Sequence, residues 1–494
     1  LKIFVVNPAY GKGFVKNARW FAKSRGRVQR HPDYLARAVA VLEQAGNDCV
    51  FIDASAKDMP MEEVEERIRA FGPDMVVLFA TTPSILNDLA HAKMAKEATG
   101  GAITVMIGSH VTAEPEDTLR RGRGYLDAVT RREYDFTLRE VADRGVFEGV
   151  QGLSYRAGDE IIHNPDRAPI EDLDALPFPA WRHIDLRDYH DAGKLFPFIT
   201  LIGGRGCPAK CTFCQLPQVM YGHRYRTMSP SRVLDEIEYD LELFPDLKEV
   251  MFEDDTLTLS THLDRLKEIC NGIMERGIDK RISWSCNARP DLTDRETLHL
   301  MKQSGARMFC CGFEFGNDEM LKRIKKGIGV EKMREFAANA SAEGIRVHGC
   351  FMIGGPGETR ETAMQTIRLA QELEIDTCQF TGVAAYPGTE YYDWAKRNNY
   401  LVASDWSQWV DGNLEQRGVV DIPGLSMREI EELVDLGLRS FYLRPKQMKT
   451  IVGNIRSWSD VRTKLHGLRS FVDYFGRTRP EGKESLATDG GDAR

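Results

Sequence analysis

Nowhere in the 494 residues is there a run of 18 apolar residues, the length a membrane-crossing helix needs. The opening stretch, Leu1 to Tyr10, reads as a strand and lacks the charged-then-apolar pattern of a secretion signal, so a non-spanning, cytoplasmic protein is expected. Cysteine is too sparse for a disulfide scaffold, with ten in the whole chain. Positive charge is not in excess: 66 Lys and Arg stand against 74 Asp and Glu, for a net charge of -8. With no recognisable nucleic-acid module either, nucleic acid is not expected as a partner. Ordinary composition (42% hydrophobic, 28% charged, 43 Gly, 21 Pro) excludes wholesale disorder, and at roughly 150 residues per domain the length suggests about three domains.

What is present is a strand-helix alternation. Strand Lys2 to Asn7, helix His31 to Ala45, strand Asp48 to Ile52, helix Met61 to Phe71, strand Met75 to Phe79, helix Ile85 to Ala98 and strand Ile103 to Ile107 predict a doubly wound, Rossmann-like parallel sheet over residues 1–145. Ligands of such sheets sit at the carboxyl ends of the strands, here Asn7 to Gly13, Thr81 to Ser84 and Gly108 to Thr112. Residues 146–190 read as a hairpin turning at Ala157-Gly158-Asp159 and a Pro-rich linker. From Phe198 six strand-helix repeats resume, with strands Phe198 to Ile202, Glu249 to Phe252, Ile282 to Cys286, Arg307 to Gly312, Arg346 to Ile353 and Thr377 to Val383. They predict a partial (β/α)6 barrel over residues 191–400 with its site at the strand carboxyl ends. Residues 401–476 read as a small helical C-terminal region, and residues 477–494 as a disordered tail.

The cysteines are unevenly placed. Cys207, Cys211 and Cys214 cluster with spacing C-x3-C-x2-C directly after a strand and Gly203-Gly204-Arg205-Gly206, whereas Cys49, Cys270, Cys286, Cys310, Cys311, Cys350 and Cys378 are spread out. Three thiolates on a loop can hold one face of an iron-sulfur cubane and leave its fourth iron without a protein ligand, while a structural zinc site needs four donors. A zinc site completed by a remote His, or incidental thiols, are the alternatives.

At these residues, with Phe213 just before the third Cys, the chain resembles the radical S-adenosylmethionine (SAM) superfamily. The resemblance implies a 4Fe-4S cluster on Cys207, Cys211 and Cys214, whose open iron chelates SAM. Reductive cleavage would then release a 5'-deoxyadenosyl radical. Glu253-Asp254-Asp255 stand where the family usually carries Gly-Gly-Glu for the SAM ammonium, with Asp255 the first choice, then Asp254, then Glu253. Ser285, Asn287 and Arg289 are placed to meet ribose and carboxylate. Gly312-Phe313-Glu314-Phe315-Gly316, Gly354-Gly355-Pro356-Gly357 and Tyr386-Pro387-Gly388 resemble the later strand ends, which makes Glu314, Gly354 and Pro387 expected SAM contacts. Cys286, Cys310, Cys311 and Cys350, on barrel strands, are most simply core, with a substrate-facing role for one of them as the alternative.

A doubly wound domain ahead of such a barrel looks like the cobalamin-binding subfamily. The matching segments are Ala80-Thr81-Thr82-Pro83-Ser84, Ile107-Gly108-Ser109-His110-Val111-Thr112 with Pro115-Glu116, and Leu126-Asp127 leading to Arg132-Glu133-Tyr134-Asp135. Thr81, Thr82, Ser84, Gly108 and His110 are the implied cobalamin contacts. No Asp-x-His-x-x-Gly signature is present, so cobalamin is expected without a histidine on cobalt. The second three-Cys cluster of methylthiotransferases and the Cys-rich C-terminal extension of peptide-maturing relatives are absent as well, so one cluster is expected.

Two basic stretches remain. Gly11 to Arg30 holds seven Lys or Arg and no acid, and Arg439 to Arg479 holds ten against two acids. They read either as solvated faces or as a surface meeting anionic lipid or a phosphorylated substrate, and Ile451, Ile455, Trp458, Val461, Leu465 and Leu468 recur at helical spacing within the second. The resemblance implies a cobalamin-dependent radical SAM enzyme, with C-methylation of an unactivated carbon first and cyclisation, ring contraction or rearrangement as the alternative. From another class stands a cobalamin-binding sensor with a vestigial cluster. A small-molecule or lipid substrate and a one-electron reductant such as flavodoxin or ferredoxin are the expected partners.

Overall fold

The computed structural model describes residues 1–447 except Arg25 and Arg27. The second basic stretch beyond Gln447, including its apolar helical repeat, and the tail from residue 477 lie outside the described residues.

Two sheets organise the molecule. In the first, β1 (Lys2–Asn7) lies between β2 (Asp48–Asp53) and β3 (Met75–Phe79), followed by β4 (Ile103–Ile107) and β5 (Ala128–Thr130), all parallel. The order β2-β1-β3-β4-β5 is that of a doubly wound sheet whose crevice opens at the carboxyl end of β1. These strands are apolar on both faces, as helices covering both sides demand. One side packs on helices Asp33–Gln44 and Asp135–Arg144, the other on Met61–Phe71 and Ile85–Thr99.

The hairpin is not a free-standing part of a linker. Its strands β6 (Leu153–Ala157) and β7 (Glu160–His163) continue the first sheet through an antiparallel pairing of β5 with β6. Leu153 and Ser154 are buried by that pairing, which is why the strand adds to the sheet edge.

The second sheet has six parallel strands in sequential order: β8 (Phe198–Leu201), β9 (Glu249–Phe252), β10 (Ser283–Ala288), β11 (Ala306–Glu314), β12 (Arg346–Ile353) and β13 (Thr377–Gly382). β8 and β13 are its two edges, so the barrel is partial. Phe309 and Phe313 of β11 meet Phe336 on the outer helix Val330–Ala342, so the alternate residues Cys310 and Gly312 face the lumen.

The described residues past 400, 401–447, pack against both sheets. Helix Met427–Tyr442 lies against β13, with Gly437 letting the Phe380 ring approach and Tyr442 Oη donating to the Cys378 carbonyl at 2.8 Å. Residues 401–426 return across the first sheet's loops: Lys23 donates its amide to the Leu414 carbonyl at 2.7 Å, and Trp406 packs on His110.

Candidate active site

The cysteine loop is held from several directions. Gly206 adopts φ +87°, and a Cβ there would stand 2.3 Å from the Arg224 carbonyl oxygen, so only glycine fits before Cys207. Gly206 donates its amide to Asp255 Oδ2 at 2.7 Å, and Thr212 donates its own to the Ile324 carbonyl at 3.0 Å. Gln218 Nε2 donates to the carbonyls of Cys211, Thr212 and Cys214 at 3.0, 3.2 and 2.9 Å, gathering the loop around one amide. Phe213 is half-buried against the core.

All three loop cysteines are unpaired thiols. Burial pushes each thiol upward, and mutual repulsion adds to this for Cys207 and Cys214. A cationic centre bound there would stabilise their thiolates against that burial. Among the described residues, the one group of three or more His, Cys, Asp or Glu donors lying within 4.8 Å of one another is Cys310, His348 and Cys350, so the three loop thiols are not drawn together around a single small ion. A loop supplying three thiolates suits an iron-sulfur core with one iron left open, whereas a structural zinc site takes four donors.

Above the loop, the three acids at the end of β9 have different partners. Asp254 is fully buried and accepts from the Gly203 amide at 2.7 Å and from Tyr225 Oη at 2.6 Å, so it holds the loop's entry. Both Asp254 oxygens are thereby engaged inside the fold. Asp255 accepts from Arg19 Nη2 at 2.8 Å and from Gly206, while Glu253 accepts from Arg30 Nη1 at 3.2 Å and Asn287 Nδ2 at 3.0 Å. Ser285 is likewise withdrawn from the rim. It is fully buried, donates to Glu249 Oε1 at 2.5 Å and accepts from Lys194 Nζ at 2.8 Å.

Arg289 stays at the rim. With Pro208, Ala209, Lys210 and Lys326 it lines a cleft of ≈710 Å³ beside the cysteine loop, a positive wall suited to a carboxylate. Glu314 takes φ +66° and binds Lys326 Nζ at 2.8 Å. A Cβ on Gly312 would collide with that carboxylate at 2.3 Å, which accounts for the Gly-x-Glu pair. Gly354, at φ +99°, and Gly355 donate their amides to Glu358 Oε2, whose Oε1 finds no partner. Burial raises the Glu358 carboxyl to about 8. Pro387 is buried in the turn before helix Glu390–Arg397.

At the first sheet's strand ends, Thr81 Oγ1 and Ser84 Oγ lie 2.7 Å apart, and Ser84 donates to Asp88 Oδ2 at 2.7 Å. Asp88 also takes Lys16 Nζ at 2.5 Å, a fully buried ion pair. Gly108 adopts φ +120° where a Cβ would stand 2.4 Å from the Ala80 carbonyl oxygen. His110 Nδ1 is 3.2 Å from Thr82 Oγ1, and burial holds the ring's pKa down at about 3, hence neutral. His110 Nε2, Ser109 Oγ, Tyr34 Oη and Tyr134 Oη are buried without hydrogen-bond partners, the unused donors an amide-rimmed cofactor such as cobalamin would satisfy.

The sequence did not disclose how the two halves are joined. Arg205, two residues before Cys207, is buried against Asp135 Oδ2 at 2.8 Å and Glu133 Oε2 at 3.3 Å, and Arg226 also pairs with Glu133. The acids of Arg132-Glu133-Tyr134-Asp135 therefore anchor the cysteine loop to the first sheet. Arg37 makes a second buried bridge, bidentate to Glu236 at 2.7 and 2.9 Å. In the first basic stretch Lys16, Arg19 and Arg30 are spent on internal acids, so that stretch is not a continuous solvated face. The only sequence hint was the absence of acids between Gly11 and Arg30. Among the described residues no helix is long and apolar enough to cross a membrane.

An open α/β domain of B12-binding type joined to a six-stranded barrel with a three-cysteine loop defines the class. Residues 201–370 match the family model of the Radical SAM superfamily, and residues 29–142 that of the B12 binding domain. The chain is 32% identical over 412 residues to an uncharacterized methyltransferase of Pyrococcus horikoshii, covering 83% of this chain and 87% of that relative. It is 26% identical over 408 residues to an anaerobic magnesium-protoporphyrin IX monomethyl ester cyclase of Rubrivivax gelatinosus, covering 79% of this chain and 69% of that one. Its fold matches a solved radical SAM methyltransferase, TsrM of Kitasatospora setae, with a TM-score of 0.70 at 15% identity over 96% of this chain and 99% of that one. The chain belongs to the radical SAM superfamily, with a cobalamin-binding domain preceding the barrel. It is a cobalamin-dependent radical SAM enzyme whose cofactors are a 4Fe-4S cluster, SAM and cobalamin.

Proposed function

We propose that the enzyme transfers a methyl group to an unactivated carbon of a small-molecule substrate, with Cys207, Cys211 and Cys214 holding the cluster. When bound, the cluster supplies the electron that breaks a carbon-sulfur bond of SAM, and cobalamin serves as methyl carrier. Asp255 and Glu253 hold the SAM ammonium beside Asn287, Arg289 takes the carboxylate, and Gly354 and Pro387 offer backbone and ring to the adenine. Glu314 braces this wall through Lys326. Thr81, Thr82, Ser84, Gly108 and His110 line the cobalamin side, and Phe213 shields the cluster from water.

One observation carries the reading: the cobalamin-side loop and the cysteine loop share a wall. Thr112 Oγ1 lies 3.5 Å from Met220 Sδ, six residues past Cys214, and a Cβ on Gly388 would meet Val219 at 2.8 Å and Ala113 at 3.1 Å. A methyl donor held by the first loop and a radical formed at the second would then be close neighbours, as transfer to carbon requires. The methyltransferase name of the Pyrococcus relative supports the same choice. The cyclase name of the Rubrivivax relative supports the alternative of radical cyclisation.

The test is the product pair. Reconstituted, reduced enzyme with SAM and substrate should release 5'-deoxyadenosine and S-adenosylhomocysteine together. 5'-Deoxyadenosine alone would move the assignment to cyclisation or rearrangement.

A further inference from the structure

A second group of sulfur and nitrogen donors lies inside the barrel, apart from the cysteine loop. Cys310 of β11 pairs in register with His348 of β12, and Cys350 follows two residues on, so all three project inward from adjacent rigid strands. Their donor atoms lie within 4.8 Å of one another, and the two sulfurs are 3.7 Å apart. That gap is far from the ~2.05 Å of a disulfide. It matches the about 3.8 Å between two thiolates on one tetrahedral zinc with ~2.3 Å bonds. We propose that Cys310, His348 and Cys350 bind one soft divalent cation of the zinc type inside the barrel, with its fourth position open to an oxygen, nitrogen or sulfur donor.

The surroundings suit a ligand set better than core packing. Cys270, Cys286, Cys311 and Cys378 are buried among apolar side chains, whereas Cys310, His348 and Cys350 are partly exposed within the lumen. The ring of His348 is held at Nδ1 by Thr377 Oγ1 at 2.8 Å, and Gln379 Nε2 lies 3.4 Å from Cys350 Sγ. Such outer partners orient a metal-binding imidazole. Lys194 and Arg30 lie near the Cys310 thiol. Those cations do not repel an incoming metal unopposed, since Arg30 is paired with Asp191 at 3.1 Å and Lys194 lies 3.9 Å from Glu249. Three protein donors and an open position characterise metals that engage a substrate. A substrate-anchoring role for the ion rests on the proposed methyl transfer, but its binding does not.

The experiment is metal analysis of the full-length, cluster-reconstituted enzyme after incubation with zinc and desalting. We expect about one zinc and about four iron per chain. Cys310→Ser, Cys350→Ser and the milder His348→Gln should each lower zinc at least tenfold with iron unchanged, and retained iron certifies the fold. Cys211→Ala should do the reverse. The proposal is overturned if wild-type enzyme retains no zinc, if the Cys310→Ser/Cys350→Ser double variant retains it, or if peptide mapping finds a Cys310–Cys350 disulfide in zinc-free enzyme. Methylation assays do not enter these outcomes, so failure here and failure of the proposed reaction are separable.

Discussion

Two sets of cysteines sit on different parts of the same barrel. Cys207, Cys211 and Cys214 lie on a loop with little regular structure, positioned by backbone bonds to Asp255, Ile324 and Gln218 and by the buried Arg205 bridge. Cys310 and Cys350 lie on paired strands, and β-register alone brings their sulfurs to 3.7 Å. A loop can space its thiols around a large core but must be held from outside, whereas strands fix a narrow gap without help. The first set should therefore respond to changes in its distant supports, and the second only to changes on its own strands.

The largest expected effect is at the loop itself. Cys211→Ala should reduce iron from about four per chain to below one and abolish SAM cleavage, whereas Cys310→Ser should leave iron intact. If both variants lost iron equally, the separation of the two sets would be wrong. Next comes the loop's remote anchor. Arg205→Met leaves Glu133 and Asp135 buried beside only Arg226, a loss of about 3–5 kcal/mol measurable by urea unfolding, with cluster occupancy falling in step. Gly206→Ala tests the same loop more locally. The positive φ and the 2.3 Å approach to Arg224 should cost about 1–3 kcal/mol and weaken iron retention without altering the strand thiols.

A pH-dependent effect concerns Glu358 under Gly354 and Gly355. Its folded pKa of about 8 lies above the ordinary glutamate range, so its contribution to stability is full below that range and lost as pH rises through 8. Glu358→Gln mimics the protonated acid and should flatten that part of the stability-pH curve, read as urea midpoints from pH 5 to 9.

The strand-helix alternation and the C-x3-C-x2-C loop were legible because both are local: period, length and spacing can be read within a few tens of residues. The strands expected from Lys2 to Thr377 appear with bounds shifted by at most a few residues. What was hidden is long-range. Arg19 meets Asp255 across 236 positions, Arg205 meets Asp135 across 70, and nothing in either neighbourhood marks the partner. Asp254 and Asp255 look equivalent in sequence, yet Tyr225 and Gly203 claim one while Arg19 and Gly206 claim the other. The basic segment from Gly11 to Arg30 looked like surface because its compensating acids lie elsewhere in the chain. Cys310 and Cys350 looked like core thiols because alternation along a strand does not say which side is the lumen until the Phe309 and Phe313 contacts with Phe336 settle it.

The central claim is that three loop thiols leave one iron of a four-iron cluster open to SAM. Mössbauer spectra of the 57Fe-reconstituted enzyme with and without SAM test it most directly. One iron in four should change its isomer shift when SAM is added. Four irons that all ignore SAM would contradict it.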